Sequence, residues 1–268
     1  MSAFAGKAAE NLKKIRASKP VVHNITNFVV MNITANVLLA CGASPVMAHA
    51  DTEVEEMVDL ANALVLNLGT LTDTWVNTMI KAGRRASNLG KPIVLDPVGA
   101  GATALRTNAA RAILFQTWVN VVRGNASEIL SLSGQDGATK GVDATRTVAD
   151  AADEAGRLAR ELGTTLALTG ATDLVTDGHR TLVIEGGHAL MPLVTGTGCS
   201  ATALVGAFLS VDQDPLTAAA TALAYFGAAG EIAGTRTTGP GTFAIHLLDA
   251  LHSLNPEELE ARCRITSG

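Results

Sequence analysis

Residues 92–116 read PIVLDPVGAGATALRTNAARAILFQ, and the order of residue types within them decides the fold. Ile93-Val94-Leu95 is an unbroken apolar run that ends on a carboxylate, Asp96. A glycine-rich turn follows, and residues 104–116 then read as a helix. A strand that is apolar throughout, rather than alternating, is buried on both faces. That is the signature of a mostly parallel sheet with helices packed on either side.

Working outward, the same unit recurs. Toward the N-terminus, the spacing predicts helices over 4–17, 28–41 and 72–88, and strands at 21–23, 44–48 and 63–66. Gly42 reads as the C-terminal stop of the second helix. Thr52, with Glu55 three residues on, reads as a capping box. Toward the C-terminus, strands are expected at 118–122, 164–169, 172–176 and 180–185, and helices at 125–132, 145–162, 199–210, 214–233 and 243–253. The stretch 134–141 reads as a mobile loop and the last dozen residues as a frayed polar tail. The expectation is one doubly wound α/β domain spanning residues 1–268.

Composition removes several function classes. Of 268 residues, 47% are hydrophobic and only 3% aromatic, so the core must be built from Ala, Val, Leu and Ile. The net charge of −5 and the lack of a basic stripe argue against a nucleic-acid partner. No run approaching a membrane span and no secretory leader is read. The three cysteines, Cys41, Cys199 and Cys263, match neither a zinc spacing nor a disulfide framework, which points to a reducing cytoplasm.

In an open parallel sheet, ligands sit beyond the carboxyl ends of the strands. The residues falling there are Asn24, Thr26 and Asn27, then Met47 and His49, then Asn67 and Gly69. They continue with Asp96, Arg123-Gly124-Asn125 with Glu128 one turn on, and Thr169-Gly170. The turn 196–199, Gly-Thr-Gly-Cys, precedes a long apolar helix. Two carboxylates, one guanidinium and two sets of backbone donors make a kit for phosphoryl transfer: an anion cradle, carboxylates for a divalent metal, and a fixed positive charge. Neither glycine pattern, 99–104 or 196–201, lies in the first strand–helix unit, which disfavours a nicotinamide site. A cysteine at a helix start is expected to have a lowered pKa.

Six segments together resemble the hydroxyethylthiazole kinase family of the ribokinase-like superfamily. They are His23-Asn24-Ile25-Thr26-Asn27, Gly42-Ala43-Ser44-Pro45-Val46-Met47-Ala48, Leu64-Val65-Leu66-Asn67-Leu68-Gly69-Thr70, Leu95-Asp96-Pro97-Val98-Gly99-Ala100-Gly101-Ala102-Thr103, Arg123-Gly124-Asn125-Ala126-Ser127-Glu128, and the 195–199 turn. The resemblance implies transfer of phosphate from ATP to a thiazole alcohol, with Mg2+ near Asp96 and Glu128. It implies Arg123, Asn125, Thr169, Thr197 and Gly198 on the nucleotide, and Asn27, Val29, Met47 and Gly196 on the thiazole. Cys199 then stands where many ribokinase-like enzymes place an Asp base. A homotrimer with substrate pockets near subunit contacts is implied as well. Another ribokinase-like kinase, acting on a pyrimidine or vitamin alcohol, is the alternative.

Overall fold

The computed structural model describes residues 3–133 and 148–268; the 134–141 stretch and the start of the helix expected over 145–162 lie outside the described residues. Nine strands form one sheet: β1 Val21–Ile25, β2 Ser44–Val46, β3 Ala63–Asn67, β4 Ile93–Asp96, β5 Val121–Asn125, β6 Thr165–Thr169, β7 Asp173–Thr176, β8 Thr181–Glu185 and β9 Arg264–Ser267. Their spatial order is β2-β1-β3-β4-β5-β6-β7-β8-β9. Pairings from β2 through β6 are parallel, and those from β6 to β9 antiparallel.

The helices are α1 Ala3–Ser18, α2 Met31–Cys41, α3 Val54–Leu60, α4 Asp73–Asn88, α5 Ala104–Gln116, α6 Ala126–Leu130, α7 Val148–Leu162, α8 Thr197–Leu209, α9 Pro215–Gly234, α10 Pro240–Ser253 and α11 Pro256–Arg262. The sheet divides them into two layers. Val22, Val65, Val94, Val121 and Ala167 face the core shared with α1, α2, α8, α9 and α10. Leu64, Leu66, Ile93, Leu95, Val122, Leu166 and Leu168 face α3 to α7. The first face is therefore thin, and Ala-rich α8 and α9 come close to it. At Gly206 of α8 an added Cβ would lie 2.6 Å from Val65 Cγ2 and 3.4 Å from Val22 Cγ1.

Several sequence readings are corrected. The helix expected from residue 28 begins at Met31, because Val30 N–H donates to Asn27 O (3.2 Å) and closes a turn first. Thr52 does not cap α3. Glu53 occupies the N-cap without a side-chain bond, and the chain enters through a turn on Ala50 O. The strand expected at 118–122 runs over 121–125. Asn120 instead uses Oδ1 to accept from Ile93 N (2.8 Å), and Trp118 is exposed. The C-terminal residues are ordered: α11 carries a capping box, and β9 extends the sheet along β8. α9 is also long and apolar enough to cross a membrane, beyond what the sequence reading allowed. Most of it is buried inside the protein, and a helix apolar on all sides is what a packed interior demands.

Gly206→Ala tests the thin face. In an exposed helix, Gly→Ala stabilises by about 1 kcal/mol. Here the new methyl meets a buried, β-branched Val65 that cannot turn away. The expected result is a net loss of about 1–2 kcal/mol and a lower thermal midpoint. Gly241→Ala in α10, where nothing lies within 4 Å, should be neutral or stabilising in the same assay.

Candidate active site

The carboxyl ends of β1, β3, β4, β5 and β6 open on one rim, and the N-terminus of α8 is laid across it. α8 sits over β1, β3 and β4. Its N-cap, Gly196, has φ +89° and packs so tightly on α2 that a Cβ would lie 2.9 Å from Ile33 Cγ2. Residues four apart on α8 face the sheet in turn. A Cβ at Gly198 would lie 2.8 Å from Arg123 Nη1. Thr202 donates Oγ1–H to Asp96 Oδ2 at 2.8 Å. Gly206 lies on Val65. The sequence reading missed Thr202, although the Gly198–Thr202–Gly206 spacing could have shown it.

Asp96 is 1% exposed. Its Oδ2 also accepts from Asn67 Nδ2 (2.8 Å), and Arg123 Nη1 lies 3.9 Å away. Burial pushes this carboxyl up to about 6, Glu128 adding to the rise while Arg123, Thr202 and Asn67 oppose it. Arg123 donates Nη2–H to Thr169 Oγ1 and keeps a buried Nε–H without a partner. A guanidinium held against the first turn of a helix, beside a half-compensated carboxylate, is placed for an anion.

Glu128, in the first turn of α6, bridges the ends of β4 and β5. Its Oε2 accepts from Asn125 N and its Oε1 from Gly99 N, both at 2.9 Å. The Asn125 side chain accepts from Glu128 N at 2.9 Å, completing the capping box of α6. So Asn125 spends its amide oxygen on its own helix, and Glu128 ties the β4 turn to that helix.

Cys199 departs from expectation. Its thiol is pushed up to about 11, not down. Burial is the main cause and Asp96 adds to it; together they outweigh the hydrogen bonds from Asn67 and Asn27, the charge of Arg123 and any help from the helix end. Its sulfur accepts from Asn67 Nδ2 (3.2 Å) and from Asn27 Nδ2 (3.6 Å). Asn27 donates to Asn67 Oδ1 (2.7 Å), and its own Oδ1 accepts from Val29 N (3.1 Å). Val29 is exposed and Met47 half-buried; the loop bearing Met47 is pinned where His23 Nε2 meets Ala48 O at 2.7 Å. An aromatic group that sequence reasoning missed flanks this end: the Trp75 ring lies 4.9 Å from Phe28 and stacks on His49 at 4.6 Å.

A cavity of about 660 Å3 opens on the far side of Arg123, lined by Thr169, Gly170, Asp173, Thr197 and Gly198 and by the apolar Met191, Leu223 and Phe226. Thr197 turns its hydroxyl away, donating to Met191 O (3.0 Å) and Val194 O (3.1 Å). Asp173 accepts from Gly170 N (2.9 Å), and burial pushes it up to about 6. Sequence reasoning missed Asp173 and the apolar lining, which come from segments far apart in the chain. A larger hollow, lined by Trp118, Gly163 and Thr165, holds none of these groups.

The model of the hydroxyethylthiazole kinase family matches residues 12–257. The hydroxyethylthiazole kinase of Desulfotalea psychrophila is 63% identical over 99% of this chain and 97% of its own. That of Moorella thermoacetica is 49% identical over 97% of each. Among solved structures, the hydroxyethylthiazole kinase protein from Pyrococcus horikoshii OT3 is 47% identical, covers 98% of this chain and 99% of its own, and gives a TM-score of 0.91. Pyridoxal kinase from Staphylococcus aureus in complex with ADP shares the fold alone, with a TM-score of 0.61 and 17% identity over 80% of this chain and 88% of its own.

Because the buried Asp96 carboxyl titrates near 6 rather than at the ordinary 3.8, the folded state takes up its proton more readily than the unfolded one. Stability therefore falls as pH rises from about 4 to above 6, by up to about 3 kcal/mol. Asp96→Asn in chelator-treated protein should raise the thermal midpoint at pH 8, and that gain should vanish near pH 4. Equal midpoint shifts at both values would show that burial does not penalise the carboxylate.

Proposed function

The chain belongs to the hydroxyethylthiazole kinase family, and we propose that it transfers the terminal phosphoryl group of ATP to the hydroxyl of 4-methyl-5-(2-hydroxyethyl)thiazole, as a single domain. The kinase assignment rests on the family; the residue roles rest on the site. The observation that carries them is the continuous contact path from Asn27 through Cys199, Asn67 and Asp96 to Arg123, which joins an apolar-rimmed acceptor end to the 660 Å3 cavity.

In this reading the nucleotide fills that cavity. Its base lies against Met191, Leu223 and Phe226, and its phosphates run past Thr169 and Gly198 to Arg123. In the first turn of α8, Thr197 N–H is used on Val194 O (3.4 Å), while the Gly198 and Cys199 N–H groups have no intrahelical acceptors, so they and the helix dipole attract the transferring group. Asn125 supports this region through the α6 cap. Asn27, Val29, Met47 and Gly196 border the heterocycle.

Mg2+ fits the donor set. Asp96 is a buried carboxylate short of positive charge, and Glu128 lies on the same rim. Among the described residues there is no all-protein cage of three or more His, Cys, Asp or Glu. That is the pattern for an ion held by one or two carboxylates plus phosphates and water. When bound, the ion supplies charge neutralisation on phosphate oxygens.

With its thiol pushed up to about 11, Cys199 is neutral near pH 7 and orients the attacking hydroxyl more than it deprotonates it. A loose transition state lets that proton leave late. Exposed Phe28, Val29 and Leu193 near the acceptor end support a homotrimer that covers this rim. We place the protein in the cytoplasm on its three unpaired cysteines.

Purified protein with Mg2+ and ATP should release ADP on addition of the thiazole alcohol and not of hydroxymethylpyrimidine. The reverse preference would keep the site and replace the substrate. Cys199→Ala should retain turnover within about tenfold, and Cys199→Asp should raise it, because a carboxylate is the better base near neutrality. Loss of turnover in both variants would make the sulfur itself indispensable.

A further inference from the structure

Asn67 is 2% exposed, and its side-chain amide is saturated. Both protons of Nδ2 are used, one on Asp96 Oδ2 (2.8 Å) and one on Cys199 Sγ (3.2 Å). Both acceptor positions of Oδ1 are used as well, by Asn27 Nδ2 (2.7 Å) and Gly69 N (3.0 Å). An amide has two donors and two lone pairs, so nothing is left over. Its orientation is not a free choice. A carboxylate oxygen only accepts and a backbone N–H only donates, so the Asp96 and Gly69 contacts fix which end is nitrogen. That fixes Asn27 in turn, which must present Nδ2 to Asn67 and Oδ1 to Val29 N.

We propose that Asn67 is a positioning residue that sets the acceptor side of the site in register with the phosphoryl side, through an amide relay running Asp96–Asn67–Asn27. One planar NH2 group holds the carboxylate and the sulfur at once, so the separation of the two is set by the angle between its N–H bonds. The carboxylate polarises the relay, and the relay orders Asn27 and the Val29 amide beyond it. Asn67 touches neither reactant in this scheme. It is absent from the nucleotide cavity, whose lining passes Arg123, Thr169 and Gly198. Its removal should therefore misplace the two halves without emptying either. This inference rests on the phosphotransfer reading for its consequence and on the hydrogen bonds alone for its geometry.

The test is a double-variant cycle on Asn27→Ala and Asn67→Ala, with Asn67→Gln as the variant that keeps an amide in the buried site but displaces it. The wild type assayed alongside establishes the phosphotransfer reading itself. Asn67→Ala and Asn67→Gln should each lower kcat at least about thirtyfold while the KM for ATP stays within about threefold. The Asn27→Ala/Asn67→Ala double variant should be no worse than the poorer single variant, within about threefold, because the two act as a unit. Losses that multiply, or a KM for ATP that rises in step with the fall in kcat, would overturn the relay. A second readout needs no turnover. In 15N-labelled protein, the Asn27 side-chain amide resonances should move in Asp96→Asn, although Asn27 does not touch Asp96. An unmoved Asn27 signal would also overturn it, even if the wild type acts on a different alcohol or on none.

Discussion

The close seating of α8 on the sheet is the constraint from which the site follows. The strand face beneath it is built from Val and Ala, and α8 answers with Gly206 where it meets Val65. That approach decides where the other end of the helix falls. Four residues back, Thr202 reaches Asp96, and four further back Gly198 leaves room for the Arg123 guanidinium. A wider inter-layer gap would pull the helix start, and Cys199 with it, off the carboxyl ends of β3 and β4. Packing and chemistry are thus set by one stripe of small residues on one helix.

Much of this was legible because it rests on local pattern. The apolar run into Asp96 and the glycine that ends α2 are written in a few consecutive residues, and the structure has them, whereas the cap read at Thr52 is absent. Asp96, Arg123 and the 196–199 turn were found because strand ends and helix starts are recognisable one at a time. The rest depends on neighbours distant in the chain. Asn67 was visible as a polar residue after a strand, but three of its four partners, Asn27, Asp96 and Cys199, come from three other segments. The sign of the Cys199 shift failed for the same reason: the helix start can be read locally, whereas burial and the Asp96 charge cannot. β9 was missed because a short polar edge strand with one buried residue, Ile265, has no pattern apart from the strand it pairs with.

The electrostatics around Asp96 show why so much polar structure converges there. A buried carboxylate with one guanidinium 3.9 Å away is only partly compensated. Neutral donors, Thr202 Oγ1 and Asn67 Nδ2, supply part of what is missing. None of these groups alone holds the charge cheaply. The site keeps a deficit of positive charge, which the proposed Mg2+ would relieve.

The sheet order carries a consequence for how the chain assembles. From β4 to β8 each strand lies beside the one that precedes it in sequence, so the sheet can lengthen as the polypeptide emerges. The helices over one face, α3 to α7, arrive interleaved with those strands. Most of the layer over the opposite face, α8 to α10, is encoded after β8. Until it docks, the valine face is exposed to water, and Asp96 is an ordinary hydrated carboxylate. The step that buries the last large apolar surface is thus also the step that dehydrates the site's charge. A nascent chain halted before residue 197 would present a bare β surface of the kind that associates with its neighbours.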